Sequence, residues 1–318
     1  MKVVKICDDK SLIWSEEPTP VISEGEALVR IRAFGVNRAD LMQRAGQYPP
    51  PPGCPDWMGL EIAGEIEEIK GESYGFEKGS RVCALLGGGG YAEYAVVKND
   101  MLMPVPEGFS FAEGAAIPET YATAYLNLVY EGGLQKGETY LVFAGASGVG
   151  IASTQIAKSM GAKVIATVRS DEKAAACVRI GADRAVNTKK EDIVEVFREE
   201  GVDLVIDCVG GSDAGKCFGE MNRYGRWVSI ATLAGPMTEI NMQSVYKKGL
   251  RLIGSTLRSR TPEKKAEICR NLVRDVFPFF EKGDFKPEIY RVFKASEVEE
   301  AHAAMQANQN IGKIIVEL

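Results

Sequence analysis

Two hydrophobic rhythms divide the chain. Up to about residue 120 the apolar positions come in short runs, VKIC (4–7), ALVRIRAFGV (27–36), LEIAGEIEEI (60–69), RVCAL (81–85) and YAEYAVV (91–97), several alternating with polar residues and separated by Gly and Pro. A period of two places the apolar side chains on one face of a strand, so this region is predicted to be a mostly antiparallel β domain. The segment YPPPPGCP (48–55) holds too many prolines for a helix or a ladder and is predicted to be a rigid surface loop.

From about 120 to 257 the rhythm changes to uniformly apolar runs separated by helical stretches. TYLVFAG (139–145), KVIATV (163–168), AVN (185–187), DLVIDCV (203–209), RWVSIAT (226–232) and LRLIGST (250–256) alternate with helical stretches over 148–161, 171–181 and 191–200. Strands without a polar face are covered on both sides, which predicts a doubly wound α/β domain with a parallel sheet. The remaining tail is predicted to carry a helix over 262–282 that Pro278 interrupts and a strand at 288–293. A helix then opens at a Ser296/Glu299 capping box, and a last strand spans 312–318. The organisation expected is therefore a β domain of 1–120 and 258–318 interrupted by an α/β domain of 121–257.

Composition narrows the function. The 318 residues include 38 Lys plus Arg against 44 Asp plus Glu, a net charge of −6, which argues against nucleic-acid or membrane-surface binding because both need a basic patch. One histidine, His302, excludes any site needing two imidazoles. Seven scattered cysteines with no CxxC pair read as reduced thiols of a cytoplasmic protein. No basic-then-apolar leader opens the chain, and no apolar run approaches the ~18 residues of a membrane span. Glycine is abundant, 34 residues, and invites a search for nucleotide-binding loops.

FAGASGVG (143–150) answers that search, lying directly after an apolar strand and opening a helix. Gly145, Gly148 and Gly150 allow a tight turn and close approach to a pyrophosphate, while the helix N-terminus presents amides and its dipole to that charge. An NAD site places an acid at the end of the next strand, but here Thr167-Val168 is followed by Arg169 and Ser170, with Lys173 close behind. These donors suit the 2′-phosphate of NADPH. On the other reading Ser170 caps a helix, Arg169 and Lys173 are solvated, and Asp171 holds a ribose.

Taken together, VNRADLMQRAGQYPPPPG (36–53), MGLEIAGEI (58–66), EGAAIPETYATAY (113–125), FAGASGVG and NIGKIIVEL (310–318) resemble the medium-chain dehydrogenase/reductase superfamily over essentially the full length. Within it the chain is similar to the zinc-free NADPH:quinone oxidoreductases related to zeta-crystallin, and to the branch named for induction by a tumour-suppressor transcription factor. The resemblance implies a Rossmann domain inserted into a GroES-like catalytic domain, and a homodimer. Zinc members carry a Cys and a Gly-His-Glu where this chain has Asn37 and Leu60-Glu61, so no metal site is expected. An alcohol then lacks a group to stabilise its alkoxide, and a quinone or activated alkene fits better as hydride acceptor.

Residue by residue, the resemblance implies that Asn37 and Tyr48 lie near the nicotinamide and hydrogen-bond the acceptor or the carboxamide, with Tyr48 the one acid there. Thr123 resembles a hydroxyl contact to the nicotinamide, Asn310 and Lys313 a C-terminal contact to the cofactor, and Ser147, Gly148 and Val149 the pyrophosphate contacts. Thr188 replaces a Tyr that in relatives stacks beside the adenosine phosphate. His302 matches no catalytic role and is expected to pack or to face solvent. Two other readings stay open. One is reduction of enals, enones or enoyl thioesters, for which Arg258 and Arg260 would form a small basic rim. The other is a non-enzymatic NADPH-binding role of crystallin or RNA-binding type.

Overall fold

In the computed structural model, which describes residues 1–318, the β rhythm resolves into an opening hairpin of β1 (Lys2–Ile6) and β2 (Leu12–Glu16), followed by the long strand β3 (Glu26–Val36). Helix α1 (Arg38–Arg44) comes next, then β4 (Glu61–Ile69), β5 (Arg81–Leu85), β6 (Tyr94–Lys98) and β7 (Leu102–Pro104), and the short helices α2 (Phe111–Ala115) and α3 (Pro118–Tyr125). β3 bends over β4 through two register shifts. Gly64 permits the close contact there, since a Cβ at this position would lie 2.1 Å from the Arg30 carbonyl oxygen.

The apolar runs that follow form β8 (Thr139–Val142), α4 (Gly148–Ser159), β9 (Lys163–Val168), α5 (Asp171–Ile180), β10 (Arg184–Asn187), α6 (Ile193–Glu200) and β11 (Leu204–Asp207). They continue with α7 (Ala214–Glu220), β12 (Arg226–Ser229), α8 (Met242–Lys248) and β13 (Arg251–Gly254). All six strands are parallel, in the order β10-β9-β8-β11-β12-β13. The chain leaves β8 toward one edge and later returns to its other side, so the loop after β8 lies at the switch point where such sheets bind ligands. Leu141, Ile165, Phe197, Val205, Phe218 and Trp227 form the core of this layer.

In the tail, α9 (Pro262–Asp275) stops at Val276 and α10 (Phe277–Glu281) restarts with Pro278 in its first turn, where a missing N–H costs nothing. β14 (Ile289–Lys294), α11 (Val298–Gln306) and β15 (Lys313–Glu317) follow. The predicted Ser296/Glu299 capping box does not form. A 3₁₀ turn at Ala295–Glu297 precedes α11, and the Glu299 carboxylate accepts from the Leu12 N–H at 2.5 Å and pairs with Arg44 at 2.8 Å. β15 enters beside β3, antiparallel, with Ile314 opposite Val36, which ties the end of the chain into the first sheet.

The fold is thus α/β, with a Rossmann-type parallel sheet and a GroES-like β domain. By contacts the chain separates into Met1–Ala122 with Arg258–Leu318, here the first unit, and Thr123–Leu257, the second. No helix is long and apolar enough to cross a membrane.

Candidate active site

In the second unit, the turn after β8 is made by Ala144 in a left-handed conformation (φ 54°) and by Gly145, where a Cβ would sit 2.5 Å from that of Ala166. Ser147 caps α4, its Oγ accepting from the Gly150 N–H at 3.1 Å. A Cβ on Gly150 would lie 2.5 Å from the Gly145 carbonyl oxygen, so these two glycines are required for the helix to start this close to the strand. Gly148 and Val149 open a helix of 12 residues, and at that position their amides have no intrahelical acceptor. The donor set fits a dinucleotide pyrophosphate.

At the end of β9, Arg169 is exposed, with no hydrogen bond or ion pair in the chain. Ser170 caps α5, accepting from the Lys173 N–H at 3.3 Å and keeping its O–H as a donor. The rival ribose ligand, Asp171, is engaged elsewhere. Lys190 at 2.5 Å and the Asn187 amide at 2.8 Å bond its carboxylate and hold it below the usual carboxylate range. Thr188 donates its hydroxyl to the Val168 carbonyl at 3.2 Å. Thr123 lies buried on α3, its carbonyl accepting from the Asn127 amide at 2.7 Å.

The first unit concentrates its buried charge where β3 ends. Asn37 there precedes α1, and its N–H donates to the carboxylate of Asp40 at 2.7 Å. The resemblance implies a cofactor contact at Lys313, but its ammonium turns inward and meets the Val36 carbonyl at 3.0 Å, Asn37 Oδ1 at 2.8 Å and Glu61 Oε1 at 2.5 Å. Three acceptors use all three N–H bonds. Asn37 is likewise fixed, since its Nδ2 donates to Glu61 Oε1 at 2.9 Å while its oxygen faces Lys313, so the amide expected to touch the acceptor is held by its own chain. Glu61, wholly buried, also accepts from the Glu119 N–H at 2.9 Å. Gly35 makes room for that carboxyl, because a Cβ there would lie 2.3 Å from Glu61 Oε1. Asn310, also buried, donates its amide to the Gly312 carbonyl at 2.7 Å.

Asp40 extends the network. Its carboxylate accepts from the Gly59 N–H and from the Tyr91 hydroxyl, both at 3.2 Å, and the Tyr91 oxygen lies 3.0 Å from His302 Nε2. With Tyr91 donating to Asp40, the histidine must donate through Nε2, leaving Nδ1 as an unpartnered acceptor. Burial pushes Asp40 up to about 6, against the donors that oppose it, and pushes His302 down to about 3. The lone histidine is therefore a neutral packing residue, only 1% exposed.

Around the proline loop, the Arg258 guanidinium stacks on the Tyr48 ring at 4.8 Å and bonds the carbonyls of Gly87 at 2.8 Å and Tyr48 at 3.2 Å and Gln43 Oε1 at 2.8 Å. Buried and fully engaged, it forms no basic rim. The Tyr48 hydroxyl has no partner, and burial raises the phenol above its ordinary value, with Arg258 pulling it down and Glu119 pushing it up. Glu119 and Lys265, neither singled out by the sequence, belong to the same corner.

Comparison with known proteins places these features. Residues 23–107 match the family described as alcohol dehydrogenase GroES-like domain, and residues 148–274 the family described as zinc-binding dehydrogenase. A quinone oxidoreductase of Pseudomonas aeruginosa is 33% identical over 92% of this chain and 90% of its own. One from Mus musculus is 30% identical over 96% of this chain and 92% of its own. The solved quinone oxidoreductase of Thermus thermophilus, determined also in complex with NADPH, is 30% identical and covers all of both chains with a TM-score of 0.84.

Proposed function

The chain belongs to the medium-chain dehydrogenase/reductase family, and from that premise we propose that it reduces quinones with NADPH and without zinc. As a family member it is an oxidoreductase with a nicotinamide cofactor and a small-molecule substrate. The observation that carries the finer reading is the buried arrangement at Asn37 and Glu61. Where zinc relatives place ligands, this chain places an amide and a leucine, and an ammonium, Lys313, neutralises Glu61 at 2.5 Å. The positive charge at this carboxylate is built into the fold.

When bound, the nicotinamide supplies the hydride. The amides of Gly148 and Val149, with the Ser147 cap beside them, hold the pyrophosphate. Arg169 takes the 2′-phosphate as a planar fork with Ser170 and Lys173 beside it, and Asp171 is engaged by Lys190 and Asn187. Thr123, Thr188 and Asn310 complete the proposed cofactor contacts. Asn37, held from both ends, acts as a fixed wall, and the unpartnered hydroxyl of Tyr48 is free to donate to the acceptor oxygen. The burial of Arg258 removes one of the two cations expected to receive a phosphopantetheine arm, leaving only Arg260, and so favours quinones over thioesters. Seven free thiols support a reducing, cytoplasmic compartment. The homodimer is proposed to form along β13, the edge strand of its sheet, where Leu252 is 56% exposed. A monomer mass in light scattering would refute it. The reading as a whole is tested by NADPH oxidation with ortho-quinones, enones and enoyl thioesters side by side, and a clear preference for the latter two would overturn it.

A further inference from the structure

The bonds around the chain's one histidine have a second arrangement. Asp40, Tyr91 and His302 stand in a row within the first unit, contributed by α1, by the segment before β6 and by α11, and are 0%, 0% and 1% exposed. Phe34 of β3 stacks on the Tyr91 ring at 4.2 Å, and the imidazole meets that ring edge-on at 5.7 Å, so the row is packed in a dry surrounding. Asp40 Oδ2 accepts from the Asn37 N–H at 2.7 Å and from the Tyr91 hydroxyl at 3.2 Å, while Oδ1 accepts from the Gly59 N–H at 3.2 Å. The Tyr91 oxygen in turn accepts from His302 Nε2 at 3.0 Å. His302 Nδ1 is left as a buried acceptor with nothing to accept, and such an atom calls for a reason.

A protonated Asp40 would have an O–H to place. The backbone groups at its carboxyl are both N–H donors, and the acceptor that the structure sets beside them is the Tyr91 oxygen. Once Tyr91 accepts from Asp40, its own hydrogen turns to His302 Nε2, and that nitrogen must then be bare. The imidazole stays neutral by carrying its hydrogen on Nδ1. Both arrangements make the same two bonds among the three side chains and leave the same atom, Nδ1, without a partner. They differ by one proton. An imidazole that kept its hydrogen on Nε2 would instead strand the Tyr91 hydrogen as a second unpartnered group.

We propose that His302, Tyr91 and Asp40 form a proton relay, in which a proton taken from water at His302 Nδ1 ends on Asp40. The Nδ1–H bond forms, the Nε2–H bond breaks as that hydrogen passes to the Tyr91 oxygen, and the Tyr91 O–H bond breaks as its hydrogen passes to Asp40 Oδ2. No group is oxidised or reduced, and only Asp40 changes its charge. The proton settles at that end because burial lifts the carboxyl to about 6, against the pull of the Asn37 N–H, Lys313, Tyr91 and the Gly59 N–H, whereas burial and Arg44 hold the imidazole at about 3. Charges act on the row from five elements: Arg44 of α1 paired with Glu299 of α11, Lys313 of β15 paired with Glu61 of β4, and Glu119 of α3. With Glu61 and Lys313 held to each other, the buried group they form with Asp40 carries one negative charge above the transition and none below it. Asp40 holds the Asn37 N–H, so this charge changes at the start of α1.

The test reads the single imidazole of the full chain, labelled with nitrogen-15 histidine, by long-range proton–nitrogen correlation from about pH 8 down to about pH 5. The proposal expects Nε2 to carry the hydrogen at the upper end and Nδ1 to carry it at the lower, with one midpoint at about 6 and the ring neutral throughout. In Asp40→Asn, which has no carboxyl to receive the proton, the tautomer should be the same at both ends of the range. In Tyr91→Phe, which breaks the row, it should likewise stop following pH. A wild-type ring that keeps its hydrogen on Nε2 throughout, or that gains a second N–H and becomes imidazolium, overturns the relay, and this result needs no variant to fold. A tautomer exchange that survives in folded Asp40→Asn overturns Asp40 as the end of the relay, and one that survives in folded Tyr91→Phe overturns Tyr91 as its link.

Discussion

Replacing Lys313 by Met removes the ammonium that faces Glu61, Asn37 and Val36 and leaves a carboxylate with no solvent exposure uncompensated. Removing one partner of a buried ion pair costs about 3–5 kcal/mol, because the remaining charge stays in a low-dielectric surrounding. Met fills much of the same volume, so little of that loss comes from packing. The double variant Glu61→Gln/Lys313→Met restores neutrality, and its amide still offers an oxygen to the Glu119 N–H. A coupling energy of about 1–3 kcal/mol in favour of the double variant is expected. Trp14 and Trp57 lie in the first unit and Trp227 in the second, so urea unfolding followed by tryptophan fluorescence in a Trp227→Phe background reports the unit in question. A loss below about 1 kcal/mol in Lys313→Met, or a double variant no more stable than the single, would refute the assignment of a buried, charged pair.

Two further outcomes follow from the same geometry. Arg169→Ala should weaken NADPH binding by roughly 10- to 100-fold, the worth of a charge-assisted bond, and leave NADH binding unchanged in a fluorescence titration. Equal weakening of both cofactors would remove Arg169 from the 2′-phosphate. His302 is held at about 3 in the fold against 6.5 unfolded, so the stability it supports is complete above pH 6.5 and is lost as the pH falls toward 3. The stability of wild type minus that of His302→Gln should therefore be flat above neutrality and fall by about 1.4 kcal/mol per unit of acidification below it, and a flat difference across that range would show that the imidazole charges within the fold.

The parallel sheet is legible in the sequence because its strands, buried on both faces, announce themselves as unbroken apolar runs. The first unit is less so. The alternating runs mark β3, β4 and β5, but α1, α2 and α3, of 7, 5 and 8 residues, run for about two turns or less and repeat the helical period too few times to stand out, and β7 has three residues. Asn37 followed by Asp40 carries a usable signal for α1, an acceptor placed three residues into a helix. The Ser296/Glu299 pattern has the same form and fails, because Glu299 finds Leu12 and Arg44 across the fold. The pyrophosphate loop is readable because its glycines serve contacts only a few residues away. The inward turn of Lys313 is not, since Lys313 and Asn37 stand 276 positions apart. The same distance problem hides the Arg258 staple, whose partner Gln43 is 215 positions away.

The central claim, that a built-in ammonium stands in place of a metal in an NADPH-dependent quinone reductase, is tested most directly by one titration. Chelator-treated protein is mixed with NADPH and 1,2-naphthoquinone, and nicotinamide absorbance and hydroquinone product are followed together. The account predicts one hydroquinone per NADPH oxidised, a slower reaction with NADH, and no change on adding zinc. Failure to reduce the quinone, or a rate that appears only when zinc is restored, would contradict it.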